Sequence, residues 1–160
     1  MEQGKIYVTP KGERMLKARL QELISQREEA ANNIREAREF GDLKENAEYA
    51  AAREAQSILE DEIASIQNKL PLLHIFHYAR ANTSCVNVGT KVTIEEIGAS
   101  KRKQEWTITG IIENDPSHFY ISNEAPLGKA LLGKKVGETV EIHTPDGRRR
   151  FKVTKIAAGA

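Results

Sequence analysis

The chain has 160 residues, a formal net charge of +1 at pH 7, and a single cysteine, Cys85. That length accommodates one or two domains, no apolar run is long enough to span a bilayer, and a lone cysteine makes no internal disulfide. The opening Met1-Glu2-Gln3-Gly4-Lys5 lacks a signal-peptide pattern, so a reducing cytoplasm is the expected compartment and no membrane is expected as a partner. Charge is uneven, −3 over residues 1–76 and +4 over 77–160. A weakly acidic half joined to a mildly basic one is not the footprint of a protein that binds nucleic acid by charge alone.

Ile6-Tyr7-Val8 is a short apolar lead-in. Thr9 then suits an N-cap and Pro10 the first helical position. Leu16, Leu20, Leu23, Arg27, Ala30, Ile34 and Ala37 follow in steps of four and three, a heptad seam with Arg27 as its one polar member. A second stripe, Ala52, Ala55, Leu59, Ile63, Ile66 and Leu70, reads as a return helix with a stutter near Leu59–Ile63. Both stripes narrow to alanine toward the middle, so the arms can approach closely there. Two arms joined by a tight turn predict an antiparallel coiled coil over residues 1–76, a finger of roughly 45 Å for about 30 residues per arm. Pro71 disfavours helix at Leu70 and sets the end of the return arm.

Between the arms lies Gly41-Asp42. Gly41 can end a helix in the left-handed region, and Asp42 is a favoured N-cap, so the pair reads as helix stop and helix start. Five carboxylates recur here every third residue: Glu36, Glu39, Asp42, Glu45 and Glu48. On one continuous helix they would repel; at a hairpin tip they face water. Two readings follow, a solvated tip or oxygen ligands for a hard cation. Mg²⁺ often takes only one or two protein carboxylates and keeps its waters or substrate phosphates.

Leu72 to Tyr78 is an apolar junction and Arg80 to Ser84 a linker. His74 and His77 have metal-compatible spacing without a second pair, which favours packing or a surface position. From there the period changes to two. Strands are predicted at Lys91–Ile97, Gln104–Ile112, Phe119–Ile121, Glu138–His143 and Arg149–Ile156, the last two joined about Pro145-Asp146-Gly147. A short helix is predicted from Pro126 to Leu132, with Gly133 past its end. The fold class is therefore α+β: an antiparallel coiled-coil hairpin, then a small globular domain over 77–160 with an antiparallel sheet folded over one helix. Lys101-Arg102-Lys103 and Arg148-Arg149-Arg150 sit at strand turns, where solubility and edge protection account for them as well as a partner does. No nucleophile elbow, phosphate-cradling Gly loop or Cys/His metal framework appears, so the chain does not read as an enzyme by itself.

Glu36 to Tyr49, written Glu-Ala-Arg-x-x-Gly-Asp-Leu-x-Glu-Asn-x-Glu-Tyr, closely resembles the tip motif of the bacterial transcript-cleavage factors of the Gre family. Ser122 to Gly137 resembles that family's second signature, with Ala125 where a Ser usually precedes the Pro. The resemblance covers essentially the whole chain. It implies that the finger enters the secondary channel of bacterial RNA polymerase while a globular domain like the FK506-binding-protein fold docks outside. It also implies that Asp42 and Glu45 help hold a second Mg²⁺ in the polymerase's own active site, where water cuts the 3′ end of backtracked nascent RNA. Two-metal phosphoryl chemistry clamps the attacking and leaving oxygens, and carboxylates on a long arm suit that task. On this reading the chain acts as a monomer and has no cofactor of its own beyond Mg²⁺ shared with the polymerase. Arg38, Lys44 and Arg53 flank the tip as candidate contacts to RNA or polymerase, with charge balance as the plain alternative. Phe40 replaces a residue that is usually more polar, and it either packs under the tip or meets the polymerase.

Two other readings compete. Channel-binding regulators that inhibit polymerase share the fold but have altered tips, against which the Asp42/Glu45 pair argues. A coiled-coil adaptor or chaperone with an isomerase-like domain would need an aromatic-lined pocket, for which residues 77–160 offer only Tyr78, Trp106, Phe119, Tyr120 and Phe151. Within the family, the acidic finger points to the branch without a large basic patch on its coiled coil.

Overall fold

The computed structural model describes residues 4–41, 46–98 and 101–160. The chain divides into two compact units, Arg14–Leu72 and Met1–Glu13 with Leu73–Ala160. This differs from a boundary after residue 76, because the start of the chain belongs with its second half. Strand β1 (Ile6–Val8) pairs in parallel with β2 (Leu73–Ile75), Ile6 opposite Leu73 and Val8 opposite Ile75. Val8 is fully buried.

The helical unit is built from α1 (Pro10–Ser25), α2 (Arg27–Arg38) and α3 (Ala47–Lys69). The outgoing arm is one predicted helix but two observed ones. At the break Ser25 Oγ donates to Glu22 O at 2.6 Å, and Gln26 N bonds Leu23 O, three residues back instead of four. A hydroxyl that competes for a helical carbonyl loosens the local turn in this way. The seam runs through the break unchanged. Leu20, Leu23 and Ala37 are buried, with Leu16, Ala30 and Ile34 half-buried.

Across from them Leu59, Ile63 and Ile66 complete the core, and Leu70 packs against it. The return stripe has no stutter. Ala55 is exposed and Gln56 half-buried, so the inward positions are Tyr49, Ala52, Gln56, Leu59, Ile63, Ile66 and Leu70. These keep strict heptad steps; choosing the more apolar neighbour at 55 had displaced the pattern by one residue. Arg27 keeps its backbone on the seam and carries its guanidinium outward, where Nε and Nη2 meet the two Glu60 carboxylate oxygens at 2.9 Å each. That pairing holds the Glu60 carboxyl below its ordinary range. Arg19 bonds Glu62 in the same cross-arm fashion at 3.0 Å.

The globular unit holds a five-stranded sheet in the order β5-β4-β3-β7-β6, made from β3 (Thr90–Glu96), β4 (Lys103–Thr109), β5 (Tyr120–Ser122), β6 (Thr139–Thr144) and β7 (Gly147–Ala158). All neighbours are antiparallel except β4 and β5, which run parallel, so the expectation of a wholly antiparallel sheet is corrected. The chain between them crosses over through a 3₁₀ turn at Pro116–His118 instead of closing a hairpin. The strand predicted to Ile112 stops at Thr109, because Gly110 is pressed against the Tyr7 carbonyl, where a Cβ would lie 1.8 Å from the oxygen. Helix α4 (Pro126–Leu131) covers one face. The core joins Val86, Val92, Ile94, Ile108, Ile121, Leu131, Val140, Phe151 and Val153. Gly128 lets α4 approach the Ser122 carbonyl closely; a Cβ there would lie 2.1 Å from it. Ala125 is the α4 N-cap and offers no side-chain bond, while Ser122 Oγ accepts from Glu124 N at 3.0 Å just before it.

Thr9 and the first turn of α1 belong to this unit, and Glu113 bonds Thr9 within it. Its Oε1 accepts from Thr9 N at 3.0 Å and from the Thr9 hydroxyl, and its Oε2 accepts from Tyr78 Oη at 3.0 Å. Thr9 is the N-cap expected from sequence, its Oγ1 accepting from Gly12 N at 3.1 Å. Burial pushes the Tyr78 hydroxyl above the ordinary phenol range; its Thr109 hydrogen bond opposes this and the Glu113 carboxylate adds to it.

Candidate functional site

The site predicted from sequence is the end of the hairpin. Asp42, Lys44 and Glu45 lie outside the described residues. Helix α2 ends at Arg38, and Glu39 and Phe40 continue in turns bonded to Glu36 O and Ala37 O. Gly41 follows with φ of +125°, a value open to glycine and strained for other residues, as its predicted helix-stopping role requires.

Helix α3 does not start at Asp42. Its N-cap is Asn46, whose Oδ1 accepts from Tyr49 N at 3.1 Å. The carboxamide also donates through Nδ2 to Ala37 O at 2.6 Å. An aspartate accepts only, whereas an asparagine can cap one helix and bond the last turn of another at once. This is the capping residue that sequence reasoning missed. The signal was present, an Asn directly before an alanine-rich helical run with Glu48 in its first turn.

Of the flanking cations, Arg38 and Arg53 are brought together at Tyr49. The Arg38 guanidinium carbon lies 5.9 Å from the Tyr49 ring centroid. Hydrogen bonding from Arg38, with Arg53 close by, holds the Tyr49 hydroxyl below the ordinary phenol range. Phe40 does not pack under the tip: it is 76% exposed. Glu36, Glu39 and Glu48 are exposed as well. The described part of the tip therefore offers a solvated rim of acids, two arginines gathered on one ring, and a large unpaired aromatic.

The alternatives raised by other residues fall away. His74 lies on β2 with its ring 6.1 Å from that of Tyr7. Cys85 accepts a hydrogen bond from Asn87 Nδ2 at 3.4 Å. Among the described residues no group of three or more His, Cys, Asp or Glu is arranged to hold a metal ion. No described helix is long and apolar enough to cross a membrane.

Residues 6–75 match the family described as transcription elongation factor, N-terminal, and residues 81–158 match the family described as transcription elongation factor, GreA/GreB, C-term. The chain belongs to the GreA/GreB family. The GreA transcription elongation factor of Clostridium acetobutylicum is 39% identical over 98% of this chain and 99% of its own length. That of Bacillus licheniformis is 37% identical over 98% of this chain and all of its own, and that of Listeria welshimeri 40% identical over 94% of each. These relatives carry the name of the branch that the acidic finger pointed to. Their span is that of the whole chain, so the GreA/GreB relationship takes in both the hairpin and the sheet unit.

Proposed function

We propose that this chain is a transcription elongation factor that acts on bacterial RNA polymerase and stimulates cleavage of backtracked nascent RNA at its 3′ end. Its own contribution is to carry Asp42 and Glu45 into the polymerase active site through the secondary channel. The observation that supports this most directly is a family relationship over nearly the full chain, joined to a hairpin whose end keeps the whole Gly-Asp-Leu-x-Glu-Asn motif. The chain supplies no hydrolytic centre of its own; the polymerase remains the enzyme.

The residue types fit a shared Mg²⁺. Asp42 and Glu45 are hard oxygen donors, and the described part of the tip around them is solvated, so any remaining coordination positions stay open to water and phosphate. When bound, the ion supplies charge stabilisation and water activation for in-line displacement at phosphorus. Asp42 and Glu45 are the residues that would hold the ion, shared with ligands of the polymerase. Arg38 and Arg53 present positive charge on the Tyr49 side of the tip, suited to RNA phosphate or to polymerase acids. Lys44 is a further candidate for such a contact. The sheet unit docks outside the channel, and its five strands around α4 support a likeness to the FK506-binding-protein fold. The chain acts as a monomer in the cytoplasm.

The test is a halted, backtracked elongation complex with Mg²⁺. Wild-type protein should shorten the RNA from its 3′ end. Asp42→Ala and Glu45→Ala should bind polymerase normally and melt at the wild-type temperature, yet abolish the stimulated shortening of the RNA. Undiminished cleavage by both variants would remove the metal-sharing role.

A further inference from the structure

At the hairpin end, one side chain joins both helical arms. Asn46 Oδ1 receives the Tyr49 amide of α3, and its Nδ2 donates to the carbonyl of Ala37 in the last turn of α2. Ala37 is buried, 5% exposed, and Asn46 half-buried. Starting a helix needs only the acceptor, and Asp, Ser or Thr serves as well. The donor half has a different target, the Ala37 carbonyl in the last turn of α2, which it shares with the Phe40 amide. A second cross-arm brace stands beside it, the Arg38 guanidinium over the Tyr49 ring.

We propose that Asn46 is a positioning residue for RNA cleavage: by bonding Ala37 of α2 while capping α3, it fixes both ends of the short segment that carries Asp42 and Glu45. This inference rests on the cleavage function proposed above. Asn46 touches neither ion nor RNA; it acts through the two carboxylates. Tying Ala37 to Asn46 removes chain entropy between the two arms before the finger meets its partner, so less is lost when the ion is held. The effect should appear as a lower Mg²⁺ requirement, not as tighter docking.

The experiment uses full-length protein in the backtracked-complex assay, with wild type, Asn46→Asp and Asn46→Ser titrated with MgCl₂. Both variants keep an acceptor for the Tyr49 amide. Asp has no donor for the Ala37 carbonyl, and the shorter Ser does not reach it. The expected result is wild-type helical ellipticity and wild-type competition for polymerase. With it comes a cleavage rate lowered about tenfold at limiting Mg²⁺ and largely restored at saturating Mg²⁺. Wild-type rates from both variants at limiting Mg²⁺ overturn the inference while leaving the proposed function standing. A loss of ellipticity or of polymerase binding in both variants, in proportion to the lost rate, assigns Asn46 a purely structural role and overturns it too. If wild-type protein itself stimulates no cleavage, the proposed function fails, and this inference fails with it.

Discussion

Individual side chains in this protein do two jobs where their chemistry allows it. Asn46 caps one helix and bonds another because a carboxamide has a donor and an acceptor on separate atoms. Glu113 joins Thr9 and Tyr78 because each carboxylate oxygen can accept on its own. The Tyr78 hydroxyl in that cluster has a stated pH consequence. Its folded-state pKa lies above the unfolded value near 10, so the unfolded chain gives up its proton first. Its stabilising contribution is complete below about pH 10 and is lost as pH rises toward the folded value. The melting temperature of wild-type protein should therefore fall more steeply between about pH 10 and pH 12 than that of Tyr78→Phe. Equal slopes would show that Tyr78 keeps its proton no better folded than unfolded.

At the level of elements, the hairpin depends on register more than on hydrophobicity. A strict heptad puts Gln56 on the seam and Ala55 in water, although alanine is the more apolar of the two. Gln56→Leu should raise the stability of the helical unit by about 1 kcal/mol, and Ala55→Leu should leave it unchanged. Thermal denaturation followed at 222 nm distinguishes them; a gain at 55 and none at 56 would restore the stuttered register. The cross-arm pairs Arg27–Glu60 and Arg19–Glu62 are half-exposed, so their value lies in orienting the arms more than in stability, and salt should weaken it. In the sheet unit, the second family signature gains a physical meaning. Gly128 is needed because α4 rests on the backbone at Ser122, and Ala125 is tolerated as a cap because the Ser122 hydroxyl and carbonyl serve the neighbouring amides.

For the molecule as a whole, the buried clusters are separate. Leu20, Leu23, Leu59, Ile63 and Ile66 form one, and the nine residues around Val92 and Phe151 form the other, with no member in common. Leu23→Ala should cost the helical unit about 3 kcal/mol and Val92→Ala should cost the sheet unit a similar amount. Hydrogen exchange reads each unit separately: each substitution should speed exchange within its own unit and spare the other. Equal acceleration in both would show that they open together.

Much of this was written in the chain. The seam of the outgoing arm, the Thr9 cap, the helix stop at Gly41, the return arm ending before Pro71 and the order of five strands around one short helix all follow from local periodicity and from residues with restricted backbone preferences. The motif from Glu36 to Tyr49 was legible as a run of residue types, and Ala37, Asn46 and Tyr49 within it also join the two arms at the hairpin end. Other features depended on contacts between residues far apart in sequence. Ile6-Tyr7-Val8 is too short to declare itself a strand until Leu73-His74-Ile75 lies beside it. The parallel pairing of β4 with β5, and the Glu113 bond to Thr9 across 104 positions, were equally hidden. That one residue both caps α3 and bonds Ala37, nine residues away on the other arm, was hidden as well, because the second bond needs a donor that a carboxylate lacks. Local sequence determines which conformations a segment prefers; which polar groups must be satisfied is known only once distant segments are brought together.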